Sequence, residues 1–185
     1  MIAGIKKAAE EKMKKTLETL KIDLGKIRTG RAHTGLLDHV VVDYYGTPTP
    51  ISQIAGIKSP DAHMLMVEPW DKTALKAIEH AIMASDLGIT PSNDGSVIRL
   101  PFPPLTEERR KDLVKQCKHY AEEAKVAVRN IRRDANAKLA KAEKDSEISE
   151  DELRRAEAEV QKLTDAHIVQ IDESLKRKEA EVMEV

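Results

Sequence analysis

The sequence predicts an α+β protein with two domains, in which a long three-helix bundle carries a small inserted α/β domain. Three segments towards the ends of the chain repeat apolar residues at the alternating three- and four-residue spacing of a helix with one buried face. All eight prolines fall between residues 48 and 104, where short β-branched runs replace that spacing. Charged residues make up 34% of the chain and aromatic residues 3%, which favours helices packed through aliphatic side chains.

The first helix is predicted over residues 2–29. Its apolar residues run from Ile2 to Ile27 at helical spacing, with lysines and glutamates between them. Gly25 weakens the last turns, and Gly30 is the predicted end of the helix.

The second helix is predicted over residues 105–145, a segment without glycine or proline. Its apolar or small residues lie at 113, 117, 120/121, 124, 128, 131, 135 and 139, which predicts one buried stripe. Cys117, the only cysteine, falls on this stripe and is therefore expected to be a buried thiol without a disulfide.

The third helix begins with a recognisable cap. Ser149 is the predicted N-cap and Glu152 completes a capping box. The stripe that follows leaves two alternatives at one turn, where either His167 or Ile168 can be the buried residue. None of the three helices can bury its stripe alone, so the sequence predicts a bundle with left-handed, coiled-coil-like packing.

The middle of the chain predicts a β/α/β sandwich-like domain over residues 31–104. Strands are expected at 40–45, 51–57, 63–68 and 97–100, with a turn at 46–50. A helix capped by Asp71 is expected to end near Gly88. The bundle then comprises residues 1–30 and 105–185, and the two connections form a predicted hinge made of Thr29, Gly30, Arg31, Pro101, Phe102, Pro103 and Pro104.

Catalytic and metal-binding patterns are hard to find. Gly30 and Gly35 have the spacing of the two glycines in a phosphate-binding loop. Leu36 and Leu37 follow them, where such a loop has a lysine and a hydroxyl residue. The six histidines show no metal-ligand spacing with each other or with Cys117. We therefore expect no enzymatic activity, no cofactor and no metal. The absence of a long apolar run and of a signal-peptide pattern predicts a soluble cytoplasmic protein with no membrane partner. We also expect the protein to be a monomer.

The second helix carries a strong local charge. Between residues 109 and 141 there are eleven Lys/Arg and four Asp/Glu, although the whole chain has a net charge of −1. Cations recur on one line beside the buried stripe and on its outer flank, at Lys111, Lys118, Lys125, Arg129, Arg132 and Arg133. A rigid rod with one cationic side is suited to lying along phosphates, and arginine in particular matches phosphate geometry.

Two interpretations of this helix stay open at this point. The first is nucleic-acid binding, in particular to the shape and backbone of RNA, because the rods have few aromatic residues for base stacking. The second is a solvated helix face with local ion pairs, such as Arg129 or Asn130 with Asp134. On that second interpretation the chain is a non-enzymatic coiled-coil scaffold or partner-binding protein with an accessory domain.

Five segments, spread in order along the chain, carry a resemblance to a known family. They are residues 26–32 (KIRTGRA), 41–50 (VVDYYGTPTP), 81–88 (AIMASDLG), 103–111 (PPLTEERRK) and 128–136 (VRNIRRDAN). Together they resemble the signature segments of bacterial ribosome recycling factors. The resemblance covers essentially the whole chain.

The resemblance implies an L-shaped molecule of roughly tRNA-like dimensions with a mobile α/β domain. It further implies binding to large-subunit ribosomal RNA near the peptidyl-transferase region. With elongation factor G and GTP, such a factor separates the post-termination ribosome into subunits, so that mRNA and deacylated tRNA are released.

The resemblance also implies which residues contact RNA. The arginines that correspond to the family's RNA contacts are Arg28, Arg31, Arg110, Arg129, Arg132 and Arg133, and the spacing along the helix adds Lys118 and Lys125. Arg110 is unusual among them because its helical phase is that of the buried stripe.

Overall fold

A computed structural model describes residues 1–184, and these divide into two compact units. The bundle unit contains Met1–Ile27 and Lys111–Glu181. The α/β unit contains Arg28–Arg110 and the C-terminal residues from Val182. The α+β class with two domains, predicted from the sequence, is therefore confirmed.

The boundaries between the units differ from those drawn on the sequence, which followed residues 30 and 104. Arg28 belongs to the α/β unit. Its guanidinium donates a hydrogen bond to the Pro103 carbonyl and lies over the Phe102 ring of the same unit. Val185, the last residue of the predicted bundle segment, lies outside the described residues.

Four α-helices and six strands make up the described chain. The helices are α1 (Ile2–Gly25), α2 (Leu75–Ala84), α3 (Glu107–Lys144) and α4 (Glu150–Met183). The strands are β1 (Val41–Tyr44), β2 (Thr47–Pro50), β3 (Ala55–Asp61), β4 (Met64–Pro69), β5 (Ser92–Asn93) and β6 (Ile98–Pro101). β1 and β2 form a two-stranded antiparallel sheet, and a second antiparallel sheet has the order β3-β4-β6-β5.

α1 ends earlier than its apolar spacing predicts. The helix stops at Gly25, four residues before the predicted end, and Ile27 then donates a tighter three-residue bond to the Leu24 carbonyl at 3.2 Å. Lys26, the residue after the helix, keeps right-handed dihedrals of φ −77° and ψ −17°, so the last turn tightens without a left-handed residue. Ile27 is nevertheless buried, so the apolar spacing outlasts the helix.

α3 and α4 begin at side-chain caps. The Thr106 hydroxyl accepts from the Arg109 amide at 3.1 Å, so α3 starts at Glu107 rather than at the predicted residue 105. The Ser149 hydroxyl accepts from the Glu152 amide at 3.1 Å, which confirms Ser149 as the cap of α4. Each cap satisfies a backbone N–H that the first helical turn cannot pair internally.

The bundle core contains all three long helices. One buried cluster joins Ala9 of α1, Leu139 and Ala135 of α3, and Ala156 and Val160 of α4. Most of its members are alanine or valine, which allows the helices to approach closely. Cys117 is also fully buried, as predicted, and burial raises the pKa of its thiol. No helix among residues 1–184 is both long and apolar enough to cross a membrane.

Two of the polar residues that α4 buries are His167, one of the two alternatives left open by the sequence, and Thr164, which was not predicted. His167 is buried and Ile168 only half-buried, and a ring nitrogen of His167 lies 2.7 Å from the Leu163 carbonyl. Thr164 is also buried and donates to the Val160 carbonyl at 2.8 Å. These bonds to the helix backbone remove much of the cost of placing polar groups in the core.

The segment predicted as a turn at 46–50 is mostly strand. The chain reverses at Tyr45 and Gly46, whose φ angles are 50° and 81°, and β2 then pairs with β1. Positive φ at both turn residues matches the right-handed twist of a two-residue hairpin. β2 tolerates Pro48 and Pro50 because only alternate residues of an edge strand need to donate a ladder hydrogen bond.

Two other strand predictions need correction. Residues 51–53 form a short 3₁₀ turn, so β3 begins at Ala55 and continues to Asp61, beyond the predicted end. β5 was not predicted, because two residues are too few to show an alternating pattern. α2 ends at Ala84, four residues before Gly88.

Asp71 connects the β1–β2 hairpin to the segment that leads into α2. Its carboxylate accepts from the Thr73 amide at 3.0 Å, from the Thr73 hydroxyl at 2.7 Å and from the Tyr45 hydroxyl at 3.0 Å. These hydrogen bonds, first of all those from Thr73, lower the pKa of Asp71. The prediction of Asp71 as a helix cap is confirmed, although a 3₁₀ turn precedes α2.

We expect Leu139→Ala to lower the free energy of unfolding of the bundle by about 2–5 kcal/mol, because it leaves a cavity in a fully buried site. Ile131→Ala should cost less, about 1–2 kcal/mol from the smaller apolar area it removes, since Ile131 was predicted to be buried but is only half-buried. Denaturant titrations followed by helical circular dichroism compare the two variants. Equal losses would contradict the observed burial.

Ser149→Ala should lower the free energy of unfolding by about 1 kcal/mol, because the Glu152 amide loses its acceptor. Ser174→Ala, in the interior of the same helix, is the matched control and should change stability by less than about 0.5 kcal/mol. A Ser149 variant as stable as the control would show that the cap contributes nothing.

Candidate nucleic-acid interface

Five of the cationic side chains of α3 lie on one side of the helix and are here called the basic stripe. It comprises Lys118, Lys125, Arg129, Arg132 and Arg133. α3 is unbroken over 38 residues, so the seven-residue spacing of Lys118, Lys125 and Arg132 and the four-residue spacing of Lys125, Arg129 and Arg133 keep these side chains on one side of the helix. Lys118 and Arg133 are exposed, whereas Lys125, Arg129 and Arg132 are half-buried.

The sequence predicts that the basic stripe points outward into solvent. In the structure only part of it does. Part of it lies against α4, because the line next to the buried stripe of one helix borders the neighbouring helix in a bundle. The Lys125 ammonium lies 2.6 Å from the Asp172 carboxylate of α4, and the Lys125 side chain is only 20% exposed. This lysine is therefore engaged within the protein.

Arg132 contacts α4 through a neutral group. Its guanidinium donates to the Gln161 side-chain carbonyl at 3.4 Å, and the Gln161 amide donates to Asp165 at 2.8 Å. The contact orients one edge of the guanidinium through an uncharged acceptor. The other N–H groups of the fork stay suited to a phosphate or a base edge.

Arg129 has a looser ion pair than the sequence suggested. Its guanidinium lies 3.6 Å from Glu122, seven residues earlier in α3, rather than against the predicted partner Asp134. The side chains are 43% and 62% exposed, so solvent screens this pair strongly. Arg129 therefore remains accessible to an anion.

Lys118 and Arg133 have no ion pair within 4 Å among residues 1–184. Each is exposed and carries an uncompensated charge. Two free cations and two arginines with weak or neutral partners provide a surface that attracts phosphates and releases counterions when it binds them.

The remaining predicted RNA-binding arginines lie in the α/β unit. Arg31 is exposed. Arg28 is half-buried over the Phe102 ring, with its guanidinium carbon 5.5 Å from the ring centre. Burial, and next the charge of Arg109, lowers the pKa of Arg28. Arg28 therefore has a packing role in addition to any contact with RNA.

Arg110 is neither fully buried nor fully exposed, in keeping with a helical phase that places it on the buried stripe. It lies in the first turn of α3 and is half-buried. Its Nε is buried and has no hydrogen-bond partner among the described residues. An unpaired buried donor is costly, and the Nε of Arg28 is unpaired and buried in the same way.

The predicted hinge residues differ in how firmly they are held within the α/β unit. Phe102 is fully buried, and its amide donates to the His63 carbonyl at 2.7 Å. Pro101 ends β6. On the other connection, the Ala32 amide donates to the Ala62 carbonyl at 2.7 Å. Both connections are thus attached to the same turn between β3 and β4.

The sequence did not predict the side chains that neutralise or orient the cations of the basic stripe. They are Glu122, Gln161, Asp165 and Asp172. Glu122 has a signal in the sequence, since it precedes Arg129 by two helical turns. The three α4 residues have no such signal, because the sequence of one helix does not determine which residues of a packed neighbour lie opposite it.

Comparisons with known proteins agree with this architecture. The sequence profile of the family named ribosome recycling factor matches residues 20–183. The chain is 61% identical to the ribosome-recycling factor of Nitrosospira multiformis over 185 residues, covering 100% of both chains. It is 62% identical to that of Geobacillus kaustophilus over 177 residues, covering 96% of both.

Solved structures give the same result. A solution structure of a ribosome recycling factor superposes with a TM-score of 0.85 at 42% identity, covering 100% of this chain and 98% of the other. A structure of the T. thermophilus factor, described with E. coli elongation factor G bound to the E. coli post-termination complex, superposes with a TM-score of 0.68 at 49% identity, covering 100% of both chains. The chain belongs to the ribosome recycling factor family.

Proposed function

We propose that this protein binds the post-termination ribosome and, with elongation factor G and GTP, separates it into subunits, which releases mRNA and deacylated tRNA. The observation that carries the proposal is the family match over nearly the whole chain. The T. thermophilus relative, described with elongation factor G on a post-termination complex, supports the choice of partners. The same match favours this function over a coiled-coil scaffold.

The bundle unit is the proposed anchor. Lys118, Arg129, Arg132 and Arg133 contact phosphates of large-subunit ribosomal RNA near the peptidyl-transferase region. The exposure of Lys118 and Arg133, and the weak or neutral partners of the half-buried Arg129 and Arg132, support this role. Arg28, Arg31 and Arg110 add contacts from the α/β unit. Binding of this kind reads RNA backbone and shape rather than base sequence.

The proposed action is mechanical, and the protein acts in the cytoplasm as a monomer without catalytic residues. The anchored bundle holds its position while elongation factor G pushes on the α/β unit, which then strains contacts between the subunits. The proposed hinge residues Thr29, Gly30, Arg31, Pro103 and Pro104 lie just inside the α/β unit, near its sequence boundaries at Arg28 and Arg110. Pro101 and Phe102 move with the α/β unit, since β6 and the His63 bond hold them.

Arg132→Ala should weaken binding to large ribosomal subunits and lower the slope of log affinity against log salt concentration by about one, because one phosphate contact is lost. Stability should change by less than about 0.5 kcal/mol, apart from the weak Gln161 contact. Pelleting of the protein with subunits at several salt concentrations measures the affinity and the slope.

Arg155→Ala is the matched control, because it removes an exposed arginine of α4 that lies outside the basic stripe. It should leave the slope unchanged. If Arg132→Ala binds as the parent does, or if affinity does not depend on salt, the assignment of the stripe as the RNA anchor is wrong.

Replacing Arg28–Arg110 by a flexible glycine–serine linker should separate anchoring from splitting. The bundle unit retains its buried cluster and the whole basic stripe, so it should fold and bind large subunits. It should not dissociate ribosomes, since the unit proposed to receive the push is missing. Light scattering of ribosomes with elongation factor G and GTP measures dissociation directly.

The shortened protein should also compete with the full chain and inhibit recycling. The control is the shortened protein carrying Arg132→Ala, which should lose much of this inhibition. Subunit separation by the bundle unit at the rate of the full chain would contradict the two-part mechanism, even if the anchor is assigned correctly.

A further inference from the structure

Lys125 differs from the other members of the basic stripe in what holds it. Its ammonium lies 2.6 Å from the Asp172 carboxylate, and its side chain is 20% exposed against 46% for Asp172. The Arg129–Glu122 pair is longer, at 3.6 Å, and both side chains are more exposed. Arg132 meets the neutral Gln161. Within the described chain, Lys125 is therefore the one member of the stripe whose charge is closely matched by a carboxylate on another helix.

A close ion pair changes what a cation can contribute to RNA binding. A phosphate that approaches Lys125 must displace a carboxylate that the fold already holds in place. Because the carboxylate is part of the same molecule, it competes at a high effective concentration. A lysine already paired with a carboxylate adds little net neutralisation to a phosphate, so its contact releases few of the cations condensed on the RNA and gains little affinity.

We propose that Asp172 is a positioning residue that withholds Lys125 from RNA and so limits how many charges of the basic stripe anchor the protein. The proposal rests on the proposed RNA-binding role of the stripe. Gln161 has the opposite effect at the equivalent place one heptad along α3, since a neutral partner orients Arg132 and leaves its charge available. α4 thereby sets the strength of the anchor on α3. A limited anchor suits a factor that must leave the ribosome after each round.

The test is Asp172→Asn in the full chain, which preserves the shape of the side chain and removes its charge. The Lys125 ammonium then no longer has a carboxylate partner. Affinity for large ribosomal subunits should rise about eightfold at 0.1 M monovalent salt, and the slope of log affinity against log salt should steepen by about one. A merely structural ion pair would alter thermal stability and leave this slope unchanged.

Two further variants identify the source of the gain. Adding Lys125→Ala to Asp172→Asn should remove the gain in affinity and restore the shallower slope. Lys125→Ala in the otherwise unchanged protein should weaken binding several-fold less than Arg132→Ala does. A Lys125→Ala loss as large as that of Arg132→Ala would overturn the proposal, because Lys125 would then already contact RNA.

Glu173→Gln is the matched control for the long-range electrostatic effect of removing one negative charge from α4. Glu173 is exposed, adjacent in sequence and without an ion pair within 4 Å among residues 1–184. The substitution removes the same charge without releasing Lys125, so affinity should change less than about twofold. An equal gain from Glu173→Gln and Asp172→Asn would overturn the specific role of Asp172.

The outcomes separate this proposal from the proposed function. If Arg132→Ala weakens binding while Asp172→Asn leaves affinity and slope unchanged, the withholding of Lys125 is wrong and the anchor stands. If neither Arg129→Ala nor Arg132→Ala affects binding, the anchor itself is wrong, and the role of Asp172 fails with it.

Discussion

The burial of three narrow apolar stripes against one another is the constraint on which the bundle depends. Each long helix is charged on most of its surface, so none can remove its stripe from water alone. The shared cluster of Ala9, Ala135, Leu139, Ala156 and Val160 shows how small side chains let the helices meet. This packing determines which flank of α3 borders α4, and hence the surroundings of every cation on that flank.

The α/β unit depends on short-range polar contacts as much as on its apolar core. Asp71 collects hydrogen bonds from Thr73 and Tyr45, which fixes the tip of the first hairpin beside the segment leading into α2. The amides of Ala32 and Phe102 bind neighbouring carbonyls of one turn. The two chain segments that lead into and out of this unit are thus fastened at a single place, which limits where bending is possible.

The basic stripe shows how the partner of a cation decides its chemistry. A carboxylate at 2.6 Å neutralises Lys125, an amide orients Arg132 without neutralising it, and Lys118 keeps its full charge in solvent. Net charge over a segment counts these three groups equally. The free energy of binding a phosphate differs among the three groups, because each cation gives up different solvation and pairing when it binds.

Local sequence was enough to determine the helices, the cap at Ser149, the burial of Cys117 and the family. Helical spacing, capping and charge excess are local properties, and each is visible within one or two turns of chain. The same reasoning misjudged β2, where prolines suggested a turn, and the end of α1. The choice of His167 over Ile168 as the buried residue, the pairing of Lys125 with Asp172 and the packing of Arg28 on Phe102 emerged only in the folded molecule. These facts depend on the register between elements distant in sequence, which the packing of the whole core sets and no local pattern encodes.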